Sequence, residues 1–263
     1  MNEPYTIVGD VHVLPSSEAA PGYGVLPVNA FLVGDDDRVL VDTGLPSEQD
    51  EFLQSLWSLV EPGDLRWVFL THEDPDHAGN LMAVLEAASQ ARLVTNYVTV
   101  GKLLEGIPSL PIDRVVVVNP GEPFPGTERG LRVVRPPLYD APGTVGLHDP
   151  VTGVVLTVDS FGAYLPELVG DLGDVAASDA LAGFEDFNRA NHPWVTLADQ
   201  AKFDRALTDL RRLEPTLLLS SHGVPARGRT DALLDAMARL PQMDPYEPPD
   251  QGQFEELKPE MGG

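Results

Sequence analysis

A run rich in histidine and acidic residues decides the fold of this chain: Thr71-His72-Glu73-Asp74-Pro75-Asp76-His77-Ala78-Gly79-Asn80. The apolar residues 67–70 before it predict a short buried strand, and the apolar residues 81–85 after it predict a helix. The run therefore occupies a strand-to-helix loop, and residues that bind or catalyse are often found on such loops.

Four side chains of this loop offer nitrogen or oxygen donors to a metal ion: His72, Asp74, Asp76 and His77. In an extended segment the first three leave the backbone on one side and His77 leaves on another, so one loop could contact two ions. Pro75 fixes a backbone angle and reduces the ordering needed to assemble a site. An acidic, solvated loop is the other interpretation, and the ligand candidates later in the chain disfavour it.

Size and composition bound the architecture. The chain has 263 residues and 43% hydrophobic content, enough for one large core or two small domains. We expect a single domain over residues 1–240, followed by a Pro- and Glu-rich tail over 241–263 that is extended or disordered. Strands alternate with helices in the first half, which predicts an α/β layered architecture.

Charge and cysteine content exclude several function classes. The formal net charge is −24, from 41 acidic and 17 basic residues, so the basic face that nucleic acids and anionic membranes require is not expected. Residues 1–4 lack the features of a signal peptide and no apolar run approaches eighteen residues, so we expect a cytoplasmic protein. There is no cysteine, so any metal must be held by histidine and carboxylate.

Further candidates follow later apolar strands. The strand 39–41 leads into Asp42, the strand 154–158 into Asp159-Ser160-Phe161-Gly162, and the strand 217–219 into Ser220-Ser221-His222-Gly223. We also expect one continuous strand over residues 5–14. Between Gly162 and Trp194 we expect a lid or a substrate-facing insertion of irregular and short helical structure.

Together these residues resemble the His-x-His-x-Asp-His signature of the metallo-β-lactamase fold, with Asp74 in the place of the second histidine. A carboxylate there marks the flavodiiron branch, and Asp-Ser-Phe-Gly at 159–162 is typical of the same branch. The resemblance covers about residues 5–240 and implies a pseudo-twofold αββα sandwich.

The resemblance also implies a set of metal ligands. One ion would be bound by His72, Asp74 and Asp140, the other by Asp76, His77 and His222, with Asp159 between the two. Asp140 stands where the fold normally carries a histidine, so a second interpretation is that it is too short to reach and that the first site is weak or empty. Asp42 would brace the metal loop, or be a simple turn residue, and Tyr139 would flank the metals, or pack in the core.

The implied chemistry follows from this donor set. Its many carboxylates suit iron or manganese better than zinc. The first hypothesis is a non-heme diiron oxidoreductase, or a protein that binds O2 or NO. Nothing after residue 240 could form a flavodoxin domain, so we expect no FMN in this chain and electrons from a separate donor protein. A homodimer is implied by analogy with the branch.

Two other functions remain open. The second hypothesis is a dinuclear hydrolase acting on an ester, thioester, lactone or phosphodiester, with a metal-bridging hydroxide oriented by Asp76. The third is a protein that has kept the fold and lost one or both metals, which the changes at positions 74 and 140 motivate. We rank the diiron hypothesis first and the hydrolase second.

Overall fold

The apolar runs of the first half form one seven-stranded sheet in the computed structural model, which describes residues 1–261. The strands follow one another across the sheet in chain order, antiparallel from β1 to β2 and from β3 to β4, and parallel from β4 to β7. They are β1 (Tyr5–Val8), β2 (Val11–Ala20), β3 (Gly24–Val33), β4 (Val39–Val41), β5 (Trp67–Phe69), β6 (Arg92–Thr95) and β7 (Val115–Val117).

Helices make the crossovers that the parallel strands require. They are α1 (Gln49–Leu59), α2 (Pro75–Ala78), α3 (Leu81–Ala87) and α4 (Tyr97–Gly106). Buried Phe52 and Leu56 of α1 and Leu81 of α3 share a core cluster with Leu40 and Val68 of the strands. Because each crossover returns the chain to the same end of the sheet, the residues after β4 and after β5 meet at one edge. That edge holds Asp42 and the metal loop.

The remaining strands form two pairs. Strands β8 (Arg132–Val134) and β9 (Gly146–Asp149) are antiparallel, while β10 (Val154–Val158) and β11 (Leu217–Ser220) are parallel. Between β10 and β11 the chain forms α5 (Ala177–Asn191) and α6 (Gln200–Arg211), and after β11 it forms α7 (Thr230–Met237) and α8 (Gln251–Met261). None of the helices within residues 1–261 combines the length and the apolar character that crossing a membrane would demand.

The chain divides into two compact units. The first comprises Met1–Ser16, Val28–Pro136 and Ala141–Thr152, and the second comprises Ser17–Pro27, Pro137–Asp140 and the residues from Gly153 onward. The single domain over residues 1–240 stays a prediction.

A partly buried ion-pair network joins the first strands of unit 1 to β9. Arg129 donates to both oxygens of Asp10, at 2.5 and 2.6 Å, and to both oxygens of Asp149, at 2.9 and 2.6 Å. Hydrogen bonds from Arg129 lower the pKa of Asp10. Burial raises the pKa of Asp149, but bonds from Arg129 and Thr152 lower it overall. Both carboxylates are therefore charged in the folded chain at neutral pH.

Three local predictions were wrong. The expected strand over residues 5–14 is a hairpin, because Gly9 adopts a φ of 54° and turns the chain between β1 and β2. The segment expected to hold irregular and short helical structure contains a longer helix, the fifteen-residue α5. Its buried positions Phe184, Phe187 and Asn188 have helical spacing, but one of them is polar. The first half of the helix is rich in alanine and has no large buried residue before Phe184, which concealed the pattern.

The tail expected to be extended contains helix α8. At its start the amide of Asp250 donates to Gln253 at 2.9 Å, and the amide of Gln253 donates to Asp250 at 3.0 Å. This reciprocal pair is a capping box, which satisfies two amide groups of the first turn. Lys258 adds an ion pair with Glu255 at 2.6 Å. The Asp-x-x-Gln spacing was the sequence signal for this helix.

Candidate metal centre

Asp42 ties the metal loop to the end of β4. Its side chain is 1% exposed and its backbone has a φ of 60°, a conformation that aspartate and asparagine tolerate better than most residues. The carboxylate accepts hydrogen bonds from the amide and the hydroxyl of Thr71, each at 2.9 Å, and from Nδ1 of His77 at 2.8 Å. One buried carboxylate thus orients both the first and the later part of the loop.

Counting protons fixes the tautomers of the two loop histidines. Thr71 gives its single hydroxyl proton to Asp42, so its oxygen accepts from Nδ1–H of His72 at 3.1 Å. Nδ1–H of His77 donates to the carboxylate of Asp42. In their neutral form both rings therefore carry the lone pair on Nε2. Metal-binding histidines are held in the same way, by a hydrogen bond from the other ring nitrogen. The two ring centroids lie 4.0 Å apart.

Each of these Nε2 atoms has a carboxylate beside it. Oδ2 of Asp74 lies 3.8 Å from Nε2 of His72, and Oδ2 of Asp76 lies 3.5 Å from Nε2 of His77. The sequence analysis considered the loop as an extended segment, but only its first part is extended. Pro75 begins the helical turn α2, and Asp76 and His77 lie on that turn. Asp74 occupies the N-cap position of that turn, but its side chain makes no capping bond.

The turn after the loop is held by close backbone packing. Thr43 donates through its amide and its hydroxyl to the carbonyl oxygen of His77, at 2.7 and 2.8 Å. The amide nitrogen of the Asn80 side chain donates to Thr43 O and Leu45 O, at 2.7 and 3.0 Å. A Cβ atom on Gly79 would collide with backbone atoms, including the carbonyl oxygen of Gly44. Only glycine fits this position without displacing the loop.

In unit 2, Asp159 and His222 meet at the ends of two adjacent parallel strands. Val158 pairs with Ser220 at the ends of β10 and β11. Oδ1 of Asp159, whose side chain is 1% exposed, lies 3.3 Å from Nε2 of His222. Nδ1–H of His222 donates to the carbonyl oxygen of Pro27 at 2.9 Å, so this ring also carries its lone pair on Nε2.

The backbone around Asp159 is strained and needs support. Val158 and Phe161 have φ values of 58° and 69°, which are unfavourable for side chains of their size. The fully buried side chain of Asn188 accepts from Phe161 N at 3.1 Å and donates to Gly162 O at 2.9 Å. Ser160 exchanges hydrogen bonds with the backbone of Leu138, at 2.9 and 2.8 Å. These bonds hold Asp159 in place.

Asp140 and Tyr139 lie near the surface of unit 2. Asp140 is exposed, and its Oδ2 accepts from the side-chain amide of Asn191 at 3.3 Å. The carbonyl oxygen of Tyr139 accepts from Nε1 of Trp194 at 3.1 Å, and the two rings lie 5.5 Å apart. The structure thus groups His72, Asp74, Asp76 and His77 with Asp42 in unit 1, and Asp159 with His222 in unit 2.

One further buried histidine is His192, which the sequence places in a loop before a helix and which follows helix α5. Its side chain is 0% exposed, and Nδ1 donates to the carbonyl oxygen of Asn188 at 3.1 Å. Burial lowers the pKa of His192, while the carboxylates of Asp159 and Asp140 act in the opposite direction. The ring is therefore neutral at neutral pH. The sequence signal was its place four residues after Asn188, on the face of α5 that carries Phe184.

Comparison with known proteins identifies the fold. The chain resembles rubredoxin:oxygen oxidoreductase from Desulfovibrio gigas with a TM-score of 0.81 and 18% identity, over 92% of this chain and 62% of that one. A flavoprotein from Thermotoga maritima gives a TM-score of 0.74 and 21% identity, over 96% and 64%. The predicted α/β metallo-β-lactamase fold and its flavodiiron resemblance are confirmed.

Comparison of sequences also finds a flavoprotein and a nitric oxide reductase among the relatives. A diflavin flavoprotein A 1 of Synechocystis is 27% identical over 151 residues, 56% of this chain and 26% of the relative. A nitric oxide reductase of Moorella thermoacetica is 24% identical over 137 residues, 52% of this chain and 34% of the relative. The chain thus spans only about a quarter to a third of the length of these curated relatives. The family model of the metallo-β-lactamase superfamily matches residues 23–222, and the chain therefore belongs to that superfamily.

Proposed function

We propose that this protein is a dinuclear non-heme iron protein that binds O2 or NO. The proposed ligands are the seven that the sequence suggested: His72, Asp74, Asp76, His77, Asp140, Asp159 and His222. All seven are among the described side chains whose grouping could hold a metal ion. Asp42 would act through His77 and Thr71, and Tyr139 would lie beside the centre without binding it.

The observation that carries this proposal is the shared state of three buried histidines. His72, His77 and His222 each give Nδ1–H to a fixed oxygen acceptor and present Nε2 next to a carboxylate. Such contacts raise the basicity of a histidine and fix its ring for a metal ion. With no cysteine in the chain, the donors are imidazole and carboxylate alone, a set that suits iron or manganese. The residues present therefore fit the ions that the family implies.

Charge balance favours a small neutral ligand. The four carboxylates Asp74, Asp76, Asp140 and Asp159 would neutralise the four positive charges of two divalent ions. Such a centre attracts an anionic ester or phosphodiester weakly, and a chain of net charge −24 repels it further. Neutral O2 and NO incur no such penalty. The names of two similar proteins, an oxygen oxidoreductase and a nitric oxide reductase, agree with this class of substrate.

Bound ferrous ions would supply electrons and open coordination positions for the gas. The side chains would hold the ions at a fixed separation, and the apolar ring of Phe161, which follows Asp159 and is 5% exposed, would limit the access of water. For continued turnover we propose a separate electron-donor protein, and by analogy a homodimer as the working assembly.

The test is gas binding by the iron-loaded full chain. The protein is loaded with ferrous iron without oxygen, and its visible and electron paramagnetic resonance spectra are recorded before and after addition of NO. Consumption of O2 and NO is then followed with a chemical reductant. The proposal expects an iron-nitrosyl spectrum and gas consumption, both lost in Asp159→Ala. Hydrolysis of a panel of esters, lactones and phosphodiesters with no response to either gas would replace the proposal with the hydrolase hypothesis.

A further inference from the structure

A continuous series of aromatic contacts in unit 2 ends at His222. The ring of Phe187 lies 5.3 Å from the ring of His222, measured between centroids. The ring of Tyr164 lies 5.4 Å from that of Phe187 and meets it edge to face. Tyr23 stacks on Tyr164 at 4.6 Å, and its hydroxyl oxygen lies 2.8 Å from that of Tyr246. The series therefore joins a proposed metal ligand to a pair of hydrogen-bonded phenols.

The same series runs from the interior of unit 2 to its surface. Phe187 and His222 are buried, with 2% and 5% of their surface exposed. Tyr164, Tyr23 and Tyr246 are half-buried. Water and an external electron donor can therefore approach the tyrosines, while the inner rings are shielded.

Backbone packing fixes both ends of the series. A Cβ atom on Gly162 would collide with the ring of Phe187 and would lie 2.8 Å from Cβ of His222, so only glycine lets these two side chains approach as they do. Near the stacked tyrosines, Val25 N donates to Leu165 O at 2.8 Å and Leu165 N donates to Val25 O at 2.9 Å. These bonds join the two segments that carry the stacked rings. The contacts are thus part of the fold.

The three phenols have a chemistry that packing alone does not require. Tyrosine gives up one electron far more easily than phenylalanine when its phenolic proton can leave. Burial raises the pKa of Tyr164 and of Tyr246, and Tyr23 acts on both in the same direction. Both phenols are therefore protonated at neutral pH and must release a proton when they are oxidised. Among the described residues, the hydroxyl of Tyr164 has no hydrogen-bond partner.

The outer pair supplies the proton acceptor that Tyr164 lacks. A phenol is both a donor and an acceptor, so one hydroxyl of the pair donates to the oxygen of the other. When the donating phenol loses an electron, its proton passes to the neighbouring oxygen. That neighbour releases its own proton to water, because both rings are half-buried. The oxidised state therefore settles on Tyr23 or Tyr246.

We infer that Tyr246, Tyr23, Tyr164 and Phe187 form an electron-transfer route between the surface of unit 2 and His222. The inference rests on the proposed function, because O2 bound at the proposed centre is the oxidant. Tyr164 loses one electron towards His222, and this electron reduces the O2. The stacked Tyr23 replaces the electron, and the outer pair releases one proton to water. An external donor then returns one electron and one proton to the pair.

The test is rapid-freeze electron paramagnetic resonance of the full chain, loaded with ferrous iron and mixed with O2 without a reductant. Electrons beyond those of the ferrous ions must then come from side chains. The inference expects a tyrosyl radical signal that narrows when the protein contains ring-deuterated tyrosine. Tyr164→Phe keeps the ring and removes the phenol, so the signal should be lost. Tyr97→Phe is the matched control, because Tyr97 is an exposed tyrosine of unit 1, and it should keep the signal.

A second variant tests the surface end of the route. At high field, the largest g value of a tyrosyl radical is lower when its oxygen accepts a hydrogen bond. The wild-type radical should show this lowered value. Tyr246→Phe removes the bond and should raise it, while the iron content stays that of the wild type. A wild-type radical without a hydrogen bond would contradict the route even if Tyr164→Phe does not fold.

The outcomes separate the route from the proposed function. A wild-type protein that loads iron and gives an iron-nitrosyl spectrum, but forms no tyrosyl radical, would overturn the route and leave the proposed function intact. A radical of undiminished yield in Tyr164→Phe would overturn the route as well, because its source would be another tyrosine. A wild-type protein that binds no iron would overturn both.

Discussion

Replacing Asp42 by asparagine should weaken metal binding through the tautomer of His77. Asparagine tolerates the φ of 60° at this position, so the change adds little backbone strain. Its amide oxygen can still accept from Thr71 N, but its NH2 group faces His77 and must donate to Nδ1. The proton of His77 then moves to Nε2 and blocks the lone pair that a metal ion needs.

The magnitude follows from the bonds that change. Asp42 accepts three hydrogen bonds from Thr71 and His77, at 2.8–2.9 Å. The bond to the amide of Thr71 is kept and the bond to His77 is reversed, so the hydroxyl of Thr71 loses its charged acceptor. One hydrogen bond to a charged group contributes about 1.5–3 kcal/mol, and we expect the free energy of unfolding to fall by that amount. Metal affinity should fall about 10- to 100-fold, the usual effect of losing a contact behind a metal-binding histidine.

Two measurements test this prediction. Competition against a chelator gives the affinity for cobalt or iron, and urea unfolding of the metal-free protein gives the stability. Asp149→Asn is the matched control, because Asp149 is also buried and accepts bonds from Arg129 and Thr152, but belongs to a different network. It should lower stability and leave metal affinity unchanged. Wild-type metal affinity in Asp42→Asn would refute the reasoning.

Further predictions concern the turn after the loop and the ion-pair network. Gly79→Ala should lower stability by roughly 1–3 kcal/mol and reduce metal content, because the new Cβ collides with backbone. Gly101→Ala, inside helix α4 with open space around it, should leave metal content unchanged and should not lower stability. Equal effects in the two variants would contradict this. Arg129→Met should lower the free energy of unfolding at pH 7 by roughly 2–4 kcal/mol. The lowered pKa values of Asp10 and Asp149 mean that this stabilisation is present above their unfolded pKa, about 3.9, and is lost as pH falls through the folded values. Unfolding measured from pH 7 to pH 2 should therefore depend less on pH in the variant, and an unchanged dependence would contradict the account.

Much of this fold could be predicted because its strands end in polar residues of known chemistry. The apolar runs before Asp42, His72 and His222 are short and bounded, so each strand and the residue after it could be recognised from sequence. Parallel pairing of β4 with β5 then brings Asp42 and the metal loop to one edge. The sequence supplies the residues, and the topology supplies their proximity.

The remaining features of the candidate site depend on contacts between distant residues, which the sequence pattern alone does not contain. Helix α5, which ends just before His192, has Asn188 on its buried face, so the apolar spacing of this helix is interrupted. The tautomer of His72 depends on the hydroxyl proton of Thr71, and that of His77 depends on the carboxylate of Asp42. The hydrogen bond that Asp140 accepts comes from Asn191, 51 positions later in the chain.

The most direct test of the central claim is the metal content of the full chain after loading with ferrous iron-57 without oxygen. Elemental analysis counts iron and zinc, and Mössbauer spectroscopy reports the ligand environment of the iron. The account predicts two irons per chain, bound by nitrogen and oxygen donors alone, and fewer in Asp159→Ala. Less than one iron per chain, or two zinc ions that ferrous iron does not displace, would contradict it.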